Sequence, residues 1–184
     1  NDVAAARRSF EKALELQPNY LPAASSLARL DAADKRPDVA RKRYEAMIAK
    51  DPTNEQLYIA LAELHLNTGS KLEDVAVTLL RAITANPQSS AARTALIEFH
   101  LRAGDPKAAV NAAQNAVAAM PNDAAVLNAA GSAQEAAGQI NQAIETFNKL
   151  AALQPQNPEP LTRLAGFYAR QKEIDKAVET LRRV

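Results

Sequence analysis

Two glutamates and two histidines repeat at the same spacing in the middle of the sequence. Glu63 and Glu98 are 35 residues apart, and His65 and His100 are separated by the same number of residues. A carboxylate beside apolar side chains can receive a Lys or Arg of a bound peptide. Imidazoles can ligate a metal or titrate near neutral pH. The shared spacing predicts that one type of element, used twice, positions both pairs.

Packing explains the two histidines better than metal binding does. Zinc ligands must converge at about 2.0–2.1 Å on one ion, with further donors nearby, whereas repeated helical elements lie about a helix-pair width apart. We therefore expect His65 and His100 to pack with a ring N–H hydrogen bond, and sensitivity to pH stays open. The sequence has no Cys, no Ser-His-Asp pattern and no glycine-rich phosphate loop. It predicts no metal site, no cofactor and no enzymatic activity.

Five prolines mark the limits of the elements that carry these residues. They recur at spacings of 34, 35, 34 and 34 residues, and they are Pro18, Pro52, Pro87, Pro121 and Pro155. The residue before a proline is driven away from helical geometry, so each proline ends a helix. Between successive prolines the apolar pattern predicts two helices joined by a short turn. A fixed period near 34 residues is typical of stacked helical pairs rather than of one globular core.

The sequence therefore predicts an all-α chain with no domain boundary. First helices are expected at 22–33, 55–67, 90–102, 124–136 and 158–170, and second helices at 3–16, 39–49, 73–85, 106–119, 140–153 and 174–184. The expected units of this single array over 1–184 are a half unit at about 1–20, full units at 21–54, 55–89, 90–123 and 124–157, and a shorter one at 158–184. The abundance of alanine, which costs least in a helix, agrees with this assignment.

These residues resemble the tetratricopeptide repeat, a helix–turn–helix unit of 34 residues. The unit from residue 124 matches best, through Leu127, Ala130, Gly131, Gly138, Ala143, Phe147, Leu150 and Pro155. The family's Trp is missing, and its place holds Ala24, Tyr58, Arg93, Leu127 and Leu161. The resemblance implies a right-handed α–α superhelix, a tetratricopeptide-repeat solenoid, that acts as a protein-interaction scaffold. The style, rich in Ala, Asn and Gln, also resembles bacterial lipoproteins that accompany the exosortase (PEP-CTERM) sorting system.

The resemblance also implies which residues contact a partner, because the first helices line the concave wall of such arrays. By their spacing, these residues are Arg29, Ile59, Glu63, Leu66, Thr94, Glu98, Leu101, Asn128, Ser132, Glu135 and Arg163. We expect Glu63 and Glu98 to lie near each other and to receive a Lys or Arg of an extended or helical peptide. The alternative, that they are ordinary solvated charges, stays open.

Charge and hydropathy narrow the range of partners. The sequence has 22 Lys plus Arg and 21 Asp plus Glu, a formal net charge of +1, whereas a nucleic-acid surface needs clustered surplus cations. The basic clusters Arg7-Arg8, Arg41-Lys42-Arg43 and Arg182-Arg183 are expected on outer, solvated faces. No run approaches the ~18 apolar residues of a membrane span.

A protein or peptide is the expected partner. The alternative is an architectural or oligomerising segment of a bacterial envelope or polysaccharide-export assembly.

The two ends of the sequence carry a further expectation. The chain starts at Asn1 rather than Met, so we expect it to be a fragment from which an export signal could have been removed. Phe10 and Leu181 would then lack a packing neighbour, and self-association through the ends is expected. The lipoprotein-like style favours a periplasmic or outer-membrane location over a cytoplasmic one.

Overall fold

Residues 2–183 are described by a computed structural model, and within them the chain forms eleven α-helices and no β-strand. The helices are α1 Val3–Leu16, α2 Leu21–Ala33, α3 Pro37–Lys50, α4 Glu55–Asn67, α5 Leu72–Ala85, α6 Ser90–Arg102, α7 Pro106–Ala119, α8 Ala124–Ala136, α9 Ile140–Leu153, α10 Glu159–Arg170 and α11 Ile174–Leu181. Every predicted helix is present, and the predicted all-α fold is confirmed. The predicted extension of the last helix to 184 is wrong, because α11 ends at Leu181 and Arg182 and Arg183 form a turn. The predicted array limits at residues 1 and 184 lie outside the described residues.

The helices group into two compact units that divide between Ala92 and Arg93, inside α6. In the first unit, α1 packs on α2, α2 on α3, α3 on α4 and α4 on α5. The second unit repeats this order from α7 to α11. The prediction of one continuous array over the whole sequence stays a prediction.

Each helical pair turns at a residue with left-handed backbone geometry. Gly69, Gly104 and Gly138 have φ of 70°, 73° and 74°, a region that glycine enters without steric cost. Lys35 and Lys172 hold the equivalent places with φ of 58° and 63°, where a side chain costs roughly 1–2 kcal/mol. The same backbone geometry is therefore kept in all five turns even where the sequence lacks glycine.

Small side chains bring the paired helices together, and large ones fill the space that remains. In the first unit the buried cluster combines Ala24, Ala40 and Ala82 with Tyr44 and Leu57. The second unit has two buried clusters. One contains Ile97 with six alanines of α7 and α8, and the other contains Phe147 with Leu161 and Phe167. Because alanine has no side chain beyond Cβ, it allows close helix approach at little entropic cost.

One close contact of this kind joins α8 to α9. Gly131 is buried in α8, and a Cβ placed on it would lie 2.6 Å from Cε2 and 2.7 Å from Cζ of Phe147. Phe147 is itself fully buried, 0% exposed, so its ring has no free space to move into. The absence of a side chain at Gly131 is therefore what sets the α8–α9 distance.

We expect Gly131→Ala to lower the free energy of unfolding by about 1–3 kcal/mol, because the new methyl group overpacks the Phe147 contact. Gly166→Ala is the matched control, since Gly166 is also helical and its Cβ would meet nothing within 4 Å. That control should stabilise the chain by up to about 1 kcal/mol. Urea unfolding followed by circular dichroism measures both changes, and equal effects would contradict the packing argument.

Candidate binding surface

A cavity of about 240 Å³ opens between α2 and α4 in the first unit. Arg29 contributes from α2, Glu63 and Asn67 contribute from α4, and the buried Tyr44 of α3 reaches it with Ser25. The remaining lining residues are small or apolar, namely Ala28, Ala32, Ala60 and Leu64. Alanines on both helices leave the space that the cavity occupies. Two of the predicted contact residues, Arg29 and Glu63, are thus brought to one place.

Arg29 and Glu63 give this cavity two opposite charges that the fold itself does not use. Both residues are exposed, and within residues 2–183 neither has an ion-pair partner within 4.0 Å. Beneath them the Tyr44 hydroxyl donates to Ser25 Oγ at 3.1 Å. Burial raises the pKa of Tyr44, so its hydroxyl stays neutral at physiological pH. The cavity therefore offers a cation, an anion and neutral hydroxyl groups to a ligand.

The two apolar contact residues predicted on α4 lie partly inside the protein. Ile59 is half-buried and packs against the core of the first unit. Leu66 is also half-buried. Each leaves only part of its side chain for a partner.

In the second unit, three predicted contact residues lie together on α8 and α10. Arg163 Nη1 donates to Ser132 Oγ at 3.0 Å, and the same nitrogen is 3.9 Å from Glu135 Oε2. Glu135 Oε1 is 2.7 Å from Arg170 Nη2, and the Arg163 guanidinium lies 5.2 Å from the ring centroid of Phe147. These side chains already bind one another, so a ligand would have to compete for them.

The remaining predicted residues belong to α6 and α8. On α6, Glu98 is exposed, Thr94 is half-buried, and Leu101 packs against the core of the second unit. Glu63 and Glu98 fall in different units, and their predicted proximity stays a prediction. Asn128 on α8 lines a second cavity of about 240 Å³ with Glu159. The other residues around that cavity are Ala124, Ala125, Leu150, Gln154, Asn157 and Pro160.

An ion-pair cluster that the sequence analysis missed surrounds Asp31 in the first unit. The Asp31 side chain is 1% exposed, with Oδ1 2.6 Å from Arg7 Nη1 and Oδ2 3.0 Å from Arg43 Nη2. Arg36 Nη2 lies 3.4 Å from Oδ1, and Asp34 accepts from Arg7 at 2.8 Å and from Arg36 at 3.0 Å. The prediction that the basic clusters lie on solvated outer faces is therefore wrong for Arg7 and Arg43. Their long side chains reach back from α1 and α3 to the buried carboxylate on α2.

The Asp31 position recurs once in every helical pair. The residues at this place are Asp31, His65, His100, Gln134 and Tyr168. Gln134 Oε1 accepts from Thr146 Oγ1 at 2.8 Å, and Thr146 is the repeat equivalent of Arg43. The same two positions thus form an ion pair in one helical pair and a neutral hydrogen bond in another. A polar residue at a buried helical spacing, repeated with the proline period, is the signal that could have identified this contact.

The ring of His65, which occupies this place, has no hydrogen-bond partner in the described part of the chain. Its Nδ1 and Nε2 atoms are both buried, and neither is bonded within the described residues, so the predicted ring N–H hydrogen bond is wrong for His65. It borders a cavity of about 120 Å³ with Asp38, Arg41 and Ser70. Burial lowers the pKa of both His65 and His100, because an apolar environment disfavours the charged imidazolium.

Neither a metal-binding cluster nor a membrane-spanning helix is present within residues 2–183. No group of three or more His, Asp or Glu side chains in that range is arranged to hold a metal ion. None of the helices described there has the length and apolar character needed to cross a membrane.

Asp31→Asn should lower the free energy of unfolding by about 3 kcal/mol, since it removes the buried carboxylate charge that Arg7, Arg36 and Arg43 share. Asp38→Asn is the matched control, because Asp38 pairs with Arg41 at 2.7 Å but its side chain is 71% exposed. An exposed pair contributes less than about 1 kcal/mol. Urea unfolding at low and high salt measures both variants. Similar losses for the two would show that the Asp31 cluster has no special role.

The lowered pKa of both histidines predicts that acid destabilises the fold. Below the ordinary value of 6.5 the unfolded chain binds more protons than the folded one, so stability present above that pH is lost as the pH falls. The groups that face His65 are Asp74, Arg41 and Glu45, and Asp105 faces His100. A double variant, His65→Gln with His100→Gln, removes both imidazoles. Glutamine is the residue that the fold already accepts at this repeat position, as Gln134.

This double variant should lose less stability than the wild type between pH 7.5 and pH 5. The urea midpoint at the two pH values measures the difference, and carboxylate effects cancel because they are common to both proteins. Identical losses would exclude the histidines as the cause.

Comparisons with known proteins agree with the helical pairing. Family models described as tetratricopeptide repeat match residues 74–125, 94–158 and 134–184. No curated protein sequence matches significantly.

Solved structures with a similar fold are of low sequence identity. One is a MamA protein, with 19% identity over 87% of each chain and a TM-score of 0.64. A second is MamA 41-end from Desulfovibrio magneticus RS-1, with 17% identity, 85% of this chain and 88% of that chain covered, and a TM-score of 0.62. A third is YrrB, described as a TPR protein with an unusual peptide-binding site, with 18% identity, 95% of this chain and 89% of that chain covered, and a TM-score of 0.60. The narrower resemblance to exosortase-associated lipoproteins finds no support among them and stays a prediction.

The predicted fold class, an all-α tetratricopeptide-repeat solenoid, is confirmed by these structural likenesses. The matched family segments together span residues 74–184, which is more than half of the sequence. The chain belongs to the tetratricopeptide-repeat family.

Proposed function

We propose that this chain is a non-enzymatic protein-interaction scaffold whose α2–α4 cavity receives part of a partner peptide or helix. The tetratricopeptide-repeat fold supports the general role of a scaffold. The observation that carries the specific proposal is the pair Arg29 and Glu63, two opposite charges beside a cavity that form no ion pair with any other described residue. Charged groups that do not stabilise the fold are available for recognition.

The chemistry of the cavity fits a peptide with both signs of charge. The Arg29 guanidinium can donate two parallel hydrogen bonds to a carboxylate, and Glu63 can accept from a Lys, an Arg or a backbone N–H. At about 240 Å³, the cavity is smaller than the roughly 300–1,000 Å³ of sites that enclose a small molecule. It suits one or two side chains of a longer ligand that continues along the surface.

The site needs little rearrangement to bind. Ser25 is held by the Tyr44 hydroxyl, and Tyr44 belongs to the buried core of the first unit. A preformed site loses less conformational entropy on binding, so more of the contact energy appears as affinity. The peptide-binding site of the structurally similar YrrB supports a peptide as the class of ligand.

The contact residues on the second unit enter the proposal in a different role. The side chains of Ser132, Glu135 and Arg163 already bind one another. A ligand would therefore contact them by replacing the existing hydrogen bond and ion pair. Asn128 lines an amide-rich cavity that suits a peptide backbone. We keep Ile59, Leu66, Thr94, Glu98 and Leu101 as contacts in this proposal.

A second candidate is an architectural role through self-association, and exposed apolar side chains of α11 support it. Ile174, Val178 and Leu181 are 58%, 43% and 51% exposed, and their spacing of four and three residues puts them on one face. A partner helix could cover this face. In this second candidate, the self-associating chain is part of an assembly in a bacterial envelope, in the periplasm or at the outer membrane.

Selection from a displayed library of random 12-residue peptides tests the scaffold proposal. Peptides that bind the wild type should combine acidic and basic residues. Arg29→Glu and Glu63→Arg should each weaken binding of the selected peptides at least tenfold, about 1.4 kcal/mol, as measured by calorimetry. Glu145→Arg is the control, because Glu145 is an exposed glutamate on α9, away from the cavity. Peptides that bind all three variants equally well would disprove the assignment of the cavity.

A further inference from the structure

Helix α5 exposes two large apolar residues where every other second helix carries a polar one. Val77 is 56% exposed and Leu80 is 52% exposed. At the repeat position of Val77 the other helices have Arg8, Lys42, Asn111, Glu145 and Glu179. At the repeat position of Leu80 four of these helices have Glu11, Glu45, Gln114 and Asn148, and Arg182 holds the place just after the end of α11. One exposed apolar residue needs no explanation, but two neighbours that break the pattern of five equivalent helices do.

The geometry of α5 places these two residues opposite its buried face. Val75, Leu79 and Ala82 are buried in the first unit, and Val77 and Leu80 lie on the other side of the helix, one turn apart. Folding of the first unit therefore does not require them to be apolar.

Two charges lie on one flank of this exposed face. Asp74 is in the first turn of α5 and Arg81 is seven residues later, two helical turns along the same flank. Both side chains are exposed, and neither forms an ion pair within 4.0 Å in residues 2–183. The Arg81 guanidinium is held 5.2 Å from the ring centroid of Tyr58, which limits its motion.

We infer that the outer face of α5 binds the same face of a second copy of this chain, with the two helices antiparallel about a twofold axis. In a twofold contact, residue i meets residue j and residue j meets residue i. Antiparallel pairing centred between Val77 and Leu80 sets Val77 of each copy against Leu80 of the other. In the same pairing, Arg81 of one copy lies two residues, about 3 Å along the helix axis, from the point opposite Asp74 of the other, an offset that the long arginine side chain can span. The face is thus complementary to itself in apolar character and in charge.

The resulting dimer is weak. A single helix from each copy buries less than the roughly 1,200 Å² of a stable interface, so the dissociation constant should lie at about 10–1,000 μM. Avidity for a multivalent partner, rather than permanent assembly, is what such a dimer would supply.

Sedimentation equilibrium of the full chain between about 10 and 1,000 μM tests the inference. The wild type should show a monomer–dimer equilibrium, and a Val77→Asn, Leu80→Gln variant should weaken it at least tenfold. This variant copies Asn111 and Gln114, which hold the same places in α7, so its helix should fold normally. Ile174→Asn is the matched control on the apolar face of α11 and should leave the equilibrium unchanged.

A charge exchange gives a second, independent measurement. Asp74→Arg and Arg81→Asp should each weaken the dimer, since each sets like charges near one another. The double variant should restore it to within about threefold, which is a fraction of 1 kcal/mol. Loss of the Tyr58 contact alone would not produce this restoration.

Three outcomes would overturn the inference. One is a wild type that stays monomeric over the whole concentration range. Another is association that the α5 variant leaves intact while Ile174→Asn abolishes it. The third is a double charge exchange that dimerises no better than the two single ones.

Discussion

None of the helices described between residues 2 and 183 is long enough to be stable alone, and the rest of the structure depends on that constraint. The described helices have between 8 and 14 residues, at or below the length at which even alanine-rich helices are marginal in water. Each must bury a face against its neighbours. Close contacts such as Gly131 against Phe147 set the distance at which this burial occurs. The stability of a pair is therefore set by its neighbours as much as by its own sequence.

The attachment of α1 shows how polar contacts can replace apolar burial. No residue of α1 is fully buried, yet Arg7 reaches the carboxylates of Asp31 and Asp34 on α2. In the other helical pairs the place of Asp31 is taken by histidine, glutamine or tyrosine. The side chain at this one position thus ranges from the centre of a charge cluster to a histidine ring without a hydrogen bond in the described part of the chain. Local stability, and its response to salt and pH, will differ from pair to pair for this reason.

Because packing uses one face of each helix, the opposite faces remain available for other chains. The α2–α4 surface holds unpaired charges beside a cavity, whereas the α8–α10 surface has its charges already paired. The outer face of α5 is apolar where its equivalents are polar. The units are therefore alike in backbone and different in surface chemistry, and that difference is what a recognition scaffold needs.

The sequence by itself determined the helices, the turns and, apart from the end of α11, the helix limits to within one or two residues, because these follow from short-range rules. Proline stops a helix, glycine enters the left-handed turn, and apolar spacing marks the buried face. It also placed Arg29 and Glu63 on first helices, from which the fold brings them to one cavity.

Only the tertiary structure decided which long side chains turn inward. Arg7 and Arg43 have the local context of surface residues, and their contact with Asp31 spans 24 and 12 residues. The pairing of Arg163 with Ser132 and Glu135, and the isolation of His65, depend in the same way on distances between helices. Side-chain reach across such a gap is a property of the packed arrangement, and no spacing along one helix encodes it.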